Sequence, residues 1–530
     1  MKKFLVSAMA VLALAACSKF NENGNSAVQN GELEQSYVSI TLASADMNTR
    51  ADDGKYEKGS DEERAVKCAH VFFFQNGKAF PVEFDGTTTS HAGPNNYIKI
   101  ALEGSESGMN NVSDIKDKVL VIQNYKGEYP NQMVVVLNWN PDKASYTLSE
   151  LQTEIQGLGS DAKGYIMSNS VYANSEKQVV DAVALTEENI GKSAAEALAN
   201  PVTIHVERVA AKVVYTAKNN GKFDTGKEIN GIKVYAQIEA FELYNDYEQS
   251  RLLKRINPNW ATEDANFGFT NWNDMDWFRS YWAQSLDTAF PNNSFAWATD
   301  NTPLDKWNYL GENTRSGEAN RTKVIVKATL VKESGSPIEV VNWYGKDYVG
   351  EGELKIVVAN TLKYTYFYKD GDKFIGLTPE DLACTTRQPG DENAYEVFFQ
   401  LSEVGAAKSW HKYENSNYNA IAVNALNGEL ANVQPALVYK EGMTYYWLDI
   451  KHLGLEDSTT EYGVVRNHVY KVNITDIKGY GTPVYDKNEA FEEPEKPEDI
   501  VTYVSAKINI LSWRVDGLAY KMQERGCNQG

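Results

Sequence analysis

The sequence predicts an all-β protein with minor helices, arranged as two β-sandwich domains. Three observations carry this expectation. Segments of period-two alternation recur along almost the whole chain. Its 31 Tyr, 19 Phe and 11 Trp make aromatic residues 12% of the composition, and flat rings pack well on a pleated surface. Helical patterns are few and short. At roughly 100–200 residues per domain, a length of 530 residues permits two or three domains. The balance of 42% hydrophobic and 23% charged residues excludes general disorder.

In the first half, Tyr37–Leu42 alternates as a half-buried strand. Val71–Phe74 and Lys78–Phe80 flank Asn76-Gly77, a hairpin turn whose residues tolerate φ > 0. Strands are expected at Val119–Gln123, Gln132–Leu137 and Val202–Thr216, and Cys68 reads as a small buried hydrophobe on a strand. Thr147 and Glu150 have capping-box spacing and open a helix carrying Leu148, Leu151 and Ile155. Thr186 opens a second helix to Ala199, stopped by Pro201. Unbroken β-patterning then resumes, which puts the domain junction near Asn200. Strands follow at Ile232–Tyr244, Lys323–Lys332 and Lys355–Ala359, then a hairpin of Leu362–Phe367 with Lys373–Leu377 across Asp370-Gly371. Tyr395–Leu401, Tyr445–Ile450 and Tyr470–Ile477 complete the set, with no fixed-period repeat to suggest a propeller or solenoid.

Acidic residues outnumber basic ones by 72 to 52, and the net charge of −20 repels phosphate backbones. A nucleic-acid partner is excluded on that ground. The six histidines are scattered, with no HExxH pair, no Gly-x-Ser-x-Gly elbow and no phosphate-binding glycine loop. No enzyme activity, cofactor or metal is expected. Trp260 to Trp307 carries six of the eleven tryptophans. It reads either as a self-packed loop or as a glycan platform centred on Trp272 and Trp277; the acidic residues there lack the glycine of a calcium loop.

The amino terminus is an address. Lys2 and Lys3 precede an apolar run to Leu14 that is too short for a permanent membrane span and fits a secretory h-region. Leu14-Ala15-Ala16-Cys17 resembles a bacterial lipobox, which implies cleavage between Ala16 and Cys17 and lipidation of Cys17. Cys68, Cys384 and Cys527 remain, an odd number that makes no complete disulfide framework.

The two ends of the mature chain carry strands of one pattern. Val38, Ile40 and Leu42 share a face, and so do Ala506, Ile508 and Ile510. The terminal strand shifts phase at Leu511 and continues with Trp513 and Val515, which predicts a bulge or a crossing between sheets. The acidic, proline-bearing stretch 485–500 precedes it, and at ~3.3 Å per residue it could reach ~50 Å. Asn48–Gly54 is polar and protease-accessible in character, and a cut between Arg50 and Ala51 would release the first strand with the anchor. A sandwich that loses an edge strand exposes a groove able to capture another strand. Ile508, Ile510, Trp513 and Val515 would contribute about 6–12 kcal/mol there before ordering costs. The alternative is that Val38–Leu42 is a permanent edge strand and Val504–Val515 closes its own domain. Spacing does not choose between the two.

These residues resemble the fimbrillin, or type V pilin, family, with the major subunits of short fimbriae of Gram-negative anaerobes nearest in pattern. The resemblance runs through Leu14–Cys17, Tyr37–Leu42, Arg50-Ala51 with Asp52-Asp53-Gly54, Val206–Val213, Val464–Tyr470 and Ile510–Val515. It implies transthyretin-like sandwiches, a lipoprotein precursor on the outer membrane, an arginine-specific protease cutting after Arg50, and a carboxy-terminal strand that inserts into the next subunit. The implied organisation is a signal peptide (1–16), a propeptide with the plug strand (17–50), sandwich domains at 51–200 and 201–484, a linker (485–500), and a donor strand and tail (501–530). The implied partners are further copies of the chain in a head-to-tail polymer, accessory tip and anchor subunits, and host or bacterial surface ligands. Asp516–Gly530 extends past the end of the family pattern. The second functional reading is a monomeric surface lipoprotein that binds glycans through Trp260–Trp307.

Overall fold

The computed structural model describes residues 33–44, 56–82, 95–100, 102, 112, 115–173, 179–255, 283–298, 301–315, 317–386, 396–452, 461–488, 490–491 and 503–514. Strands dominate and helices are short, as the patterning predicts.

The first domain is built on one ten-stranded sheet. Its main path runs Ile190–Gly191, Leu33–Ser44, Val202–Arg208, Met167–Asn169, Gln132–Leu137, Ala69–Gln75, Lys78–Ala79, and Lys118–Tyr125 pairs with Leu33–Ser44. Val38, Phe73, Val135 and Ile204, drawn from across that order, meet in a single core, so the sheet wraps around its own apolar face. The Asn76-Gly77 hairpin forms as expected, with φ of 52° and 75°, both in the left-handed region that Asn and Gly tolerate. The Thr147 capping box also forms, with Thr147 accepting from the Glu150 amide and the Glu150 carboxylate accepting from the Thr147 amide. The helix ends at Thr153, so Ile155 lies on a short strand that pairs with Gln249–Arg251. Thr186 opens only a 3-10 turn at Glu187–Asn189, and the helix proper is Ala194–Ala199, capped by Ser193.

The second domain packs two five-stranded sheets face to face. One contains Tyr56–Lys58, Tyr503–Arg514, His468–Lys478, Ala210–Ala217 and Trp307–Gly311, in that order. The other contains Lys222–Ile229, Ile232–Tyr244, Lys323–Val331, Met443–Asp449 and Thr482–Pro483. Val213, Tyr215, Phe241, Val326 and Tyr446 fill the space between them. The single strand expected over Val202–Thr216 is two strands: Val202–Arg208 belongs to the first domain and Ala210–Ala217 to the second. The chain thus changes sheets at Val209, beyond the expected junction at Asn200. No turn residue marks the change, because Val209 is itself buried between the domains.

Between Val331 and Met443 lies a further unit with its own core, including Trp343, Leu354, Phe399 and Trp410. The strand expected at Lys355–Ala359 is part of a helix there, Gly350–Leu362. Leu354 and Val358 are buried one turn apart while Ile356 is 50% exposed. Packing on this core overrides the strand preference of Ile356, Val357 and Val358.

Candidate functional site

The leading strand Leu33–Ser44 is not an edge strand, which corrects the sequence expectation. Lys118–Tyr125 runs antiparallel along one side, and Ile190–Gly191 followed by Val202–Val206 lines the other. Val38 and Ile40 are fully buried, and so is Ser39 on the opposite face. Polar contacts pin it further. Ser36 Oγ donates to Asn124 Oδ1 at 2.9 Å, and the Glu34 carboxylate accepts from Tyr129 Oη at 2.9 Å. That Tyr129 hydrogen bond holds the Glu34 carboxyl below its ordinary pKa. Thr41 Oγ1 donates to Asp117 Oδ1 and accepts from the Asp117 amide, both at 3.1 Å. Removing this strand opens a slot between two strands with backbone groups unpaired on each side.

The terminal strand Tyr503–Arg514 sits in the second domain of its own chain. It runs antiparallel to His468–Lys478, and Ser512–Arg514 pairs in parallel with Tyr56–Lys58. Val504 and Ala506 are half-buried against the second core, whereas Ser505 and Lys507 are exposed. The bulge or crossing expected at Leu511 is absent, since Ile510, Leu511 and Ser512 pair without interruption with Tyr470, Val469 and His468. The register shift falls on the partner strand, between Ile474 and Asp476, opposite Ser505 and Ala506. Ile508, Ile510, Leu511 and Trp513 lie on this strand, and Val515 lies outside the described residues. In the linker, Ala490–Phe491 pairs with Phe295–Ala296 instead of standing free.

Ala16, Cys17, Arg50, Ala51, Cys527 and the tail Asp516–Gly530 fall outside the described residues, as do Trp260, Trp272 and Trp277. Of the tryptophan-rich stretch, Trp297 and Trp307 are described, and each indole has a lysine ammonium over it, Lys327 at 4.8 Å and Lys212 at 4.3 Å. Cys68 and Cys384 are free thiols, both only half-buried. Cys68 precedes the strand Ala69–Gln75, and its Sγ donates to the Trp139 carbonyl at 3.6 Å. It is less buried than expected.

The two internal motifs, Val206–Val213 and Val464–Tyr470, meet at the junction of the domains. Asn467 Oδ1 accepts from the Arg208 amide at 3.1 Å, and the Asn467 amide donates to the Ala210 carbonyl at 2.8 Å. Around this crossing lies a buried ionic network whose partners only the fold reveals. Lys254 lies 3.1 Å from Glu207, with both side chains fully buried. Arg466 pairs with Glu312 at 2.6 Å and donates to the Arg251 carbonyl at 2.8 Å. Glu63 accepts from Lys212 at 2.7 Å and from Tyr309, while its carbonyl accepts from Arg208 Nε at 2.9 Å. Burial opposes ionisation of Glu63, but the hydrogen bonds from Lys212 and Tyr309 outweigh it and hold its pKa below the ordinary value. The network joins Val202–Arg208, which flanks the leading strand, to His468–Lys478, which flanks the terminal one.

His468 is fully buried there. It hydrogen-bonds the Arg466 carbonyl through Nδ1 at 2.7 Å, and burial pulls its pKa down to about 4. Between pH 6.5 and 4 the unfolded chain binds a proton at this site that the native chain refuses, so this contribution to stability is intact above about pH 6.5 and is lost as the pH falls. His468 should account for about 3 kcal/mol of acid destabilisation over that window. Urea unfolding of wild type and His468→Asn at pH 7 and pH 4.5 should show the stability gap shifting with pH in the variant's favour on acidification. A gap independent of pH would count against a buried neutral imidazole.

The match to known proteins falls on the region that contains the terminal strand and its partner. Residues 437–517 match the family model described as major fimbrial subunit protein type IV, fimbrillin, C-terminal. No curated protein matches the chain. Among solved structures, a fimbrilin from Porphyromonas gingivalis W83 is similar at 11% identity and a TM-score of 0.38, covering 91% of this chain and 98% of that one. The tip fimbrial protein Mfa3 from the same species, with C-terminal truncation, is similar at 11% identity and a TM-score of 0.32, covering 90% and 100%. A fimbrial assembly protein from Parabacteroides distasonis is similar at 12% identity and a TM-score of 0.30, covering 72% and 100%. The family likeness therefore rests on the carboxy-terminal region: residues 437–517, which hold the terminal strand and its partner, are similar to the C-terminal part of the fimbrillin major fimbrial subunits.

Proposed function

We propose that the chain is the structural shaft subunit of a cell-surface fimbria, exported as a lipoprotein on Cys17, cut between Arg50 and Ala51, and polymerised head to tail by strand exchange. The observation that carries this reading is the contrast between its two end strands. Val38 and Ile40 are fully enclosed in the first domain, whereas Val504 and Ala506 are only half-buried at home. A terminal strand that moved from its own second domain, where Tyr503–Leu511 pairs with one strand only, into a neighbour's emptied slot would therefore gain apolar burial and a second row of main-chain hydrogen bonds. While the leading strand is in place that slot is filled, and the precursor stays monomeric. Cleavage removes the barrier and releases the lipid anchor with the strand. The surface form then supports adhesion, with tip and anchor subunits at the ends of the polymer.

The test is the terminus and the strand. Mass spectrometry of the surface polymer should find Ala51 as the first residue, and deletion of 501–530 should leave soluble monomer and no polymer. Polymers that retain Val38–Leu42, or that form without residues 501–530, would overturn the proposal.

A further inference from the structure

We infer that the exchanged strand docks in one register, with Tyr503-Val504-Ser505 on the positions of Tyr37-Val38-Ser39 and Lys507 on the position of Thr41, beside Asp117. The inference rests on the strand-exchange reading above and names the residues that set its specificity. The same tripeptide, Tyr-Val-Ser, occurs in both strands. Each tripeptide also pairs with an antiparallel neighbour, Tyr37–Ser39 with Val119–Val121 and Tyr503–Ser505 with Asp476–Lys478.

Sterics discriminate among the registers. A slip by one residue would turn Val504 and Ala506 to the wrong face. Slips by two keep the face but change the residue at the Ser39 position, which is fully buried on the face opposite Val38 and Ile40. Matching apolar residues alone, Ala506, Ile508 and Ile510 on Val38, Ile40 and Leu42, puts Lys507 at that position and an ammonium in a site closed to water. The opposite slip puts Tyr503 there, far larger than the space a serine fills. A slip by four puts Asn509 there and Ser512 in the apolar site of Leu42. The strand's other serine, Ser512, reaches that position only with Trp513 in the fully buried site of Ile40, which an indole overfills, so the Tyr-Val-Ser register fits best.

Charge supports the same choice. Thr41 contacts the Asp117 carboxylate, and Asp117 holds its place with φ of 52°. With Lys507 at the Thr41 position, an ammonium meets that carboxylate; the registers slipped by two or four offer Asn509, Ser505 or Leu511 instead. The price of the register is Ala506 on the fully buried site of Ile40.

The experiment uses the full-length chain, processed at Arg50 by an arginine-specific protease, with polymerisation followed by light scattering and electron microscopy. Asp117→Lys and Lys507→Asp should each slow polymerisation at least tenfold, and the double variant should return to within a few-fold of wild type. As a readout independent of folding yield, Asp117→Cys combined with Lys507→Cys should give an oxidant-dependent ladder on non-reducing gels, while Asp117→Cys with Asn509→Cys should not. Single variants that polymerise like wild type, or a ladder from the Asn509→Cys pair instead, would overturn the register while leaving exchange intact, provided deletion of 501–530 still abolishes polymers. If that deletion has no effect, exchange itself falls and the register with it.

Discussion

Replacing Arg466 by Met is expected to destabilise the protein by about 3–5 kcal/mol, because it strands the buried Glu312 carboxylate without its partner. The guanidinium also supplies donors to Ser250 Oγ and to the Arg251 carbonyl, and water cannot replace them where the Arg466 side chain is fully buried. Urea unfolding of the full chain measures the loss. The pair Arg466→Met with Glu312→Leu should recover most of it, since removing both charges leaves nothing unpaired. A loss below about 1 kcal/mol, the range of an exposed pair, would show that Arg466 is solvated in the native protein.

Ile40→Ala should destabilise the uncut precursor by about 2–5 kcal/mol, the range for truncating a fully buried isoleucine. The same substitution should leave the form cut after Arg50 and stripped of its leading strand unchanged, because the residue has departed with the propeptide. The precursor variant should also release its leading strand faster after cleavage. Thermal unfolding before and after processing checks both halves. Equal losses in the two forms would mean that the leading strand stays with the mature protein.

Much of the fold is legible in the sequence where the signal is local. The Asn76-Gly77 hairpin, the Thr147 capping box and the strands Gln132–Leu137 and Ile232–Tyr244 rest on turn chemistry, capping or period within a few residues, and the structure has them in place. The errors fall where a non-local partner decides. Lys355–Ala359 reads as a strand by its β-branched residues and is helical because Leu354 and Val358 find a core one helical turn apart. Val202–Thr216 reads as one strand because its alternation is unbroken, and divides because two different domains claim its halves.

For the candidate site, the apolar spacing of Val38, Ile40 and Leu42 announces a buried face. It says nothing of Ser39, which is fully buried although it lies on the opposite face. Nor does it show that Asp117 stands beside Thr41, or that Lys254, Glu207, Arg466 and Glu312 share one dry junction. By itself the sequence determined the β class, the paired patterns at the two ends of the chain, the acidic stretch before the terminal strand and the absence of a recognisable catalytic motif. Tertiary structure alone decided that the leading strand is interior, that the terminal strand rests at home between Tyr56–Lys58 and His468–Lys478, and which residue of each strand must be small. The reason is physical. Periodicity records which face of a strand meets apolar surroundings, whereas register and charge pairing depend on what the opposite face touches, and that is set by segments distant in the chain.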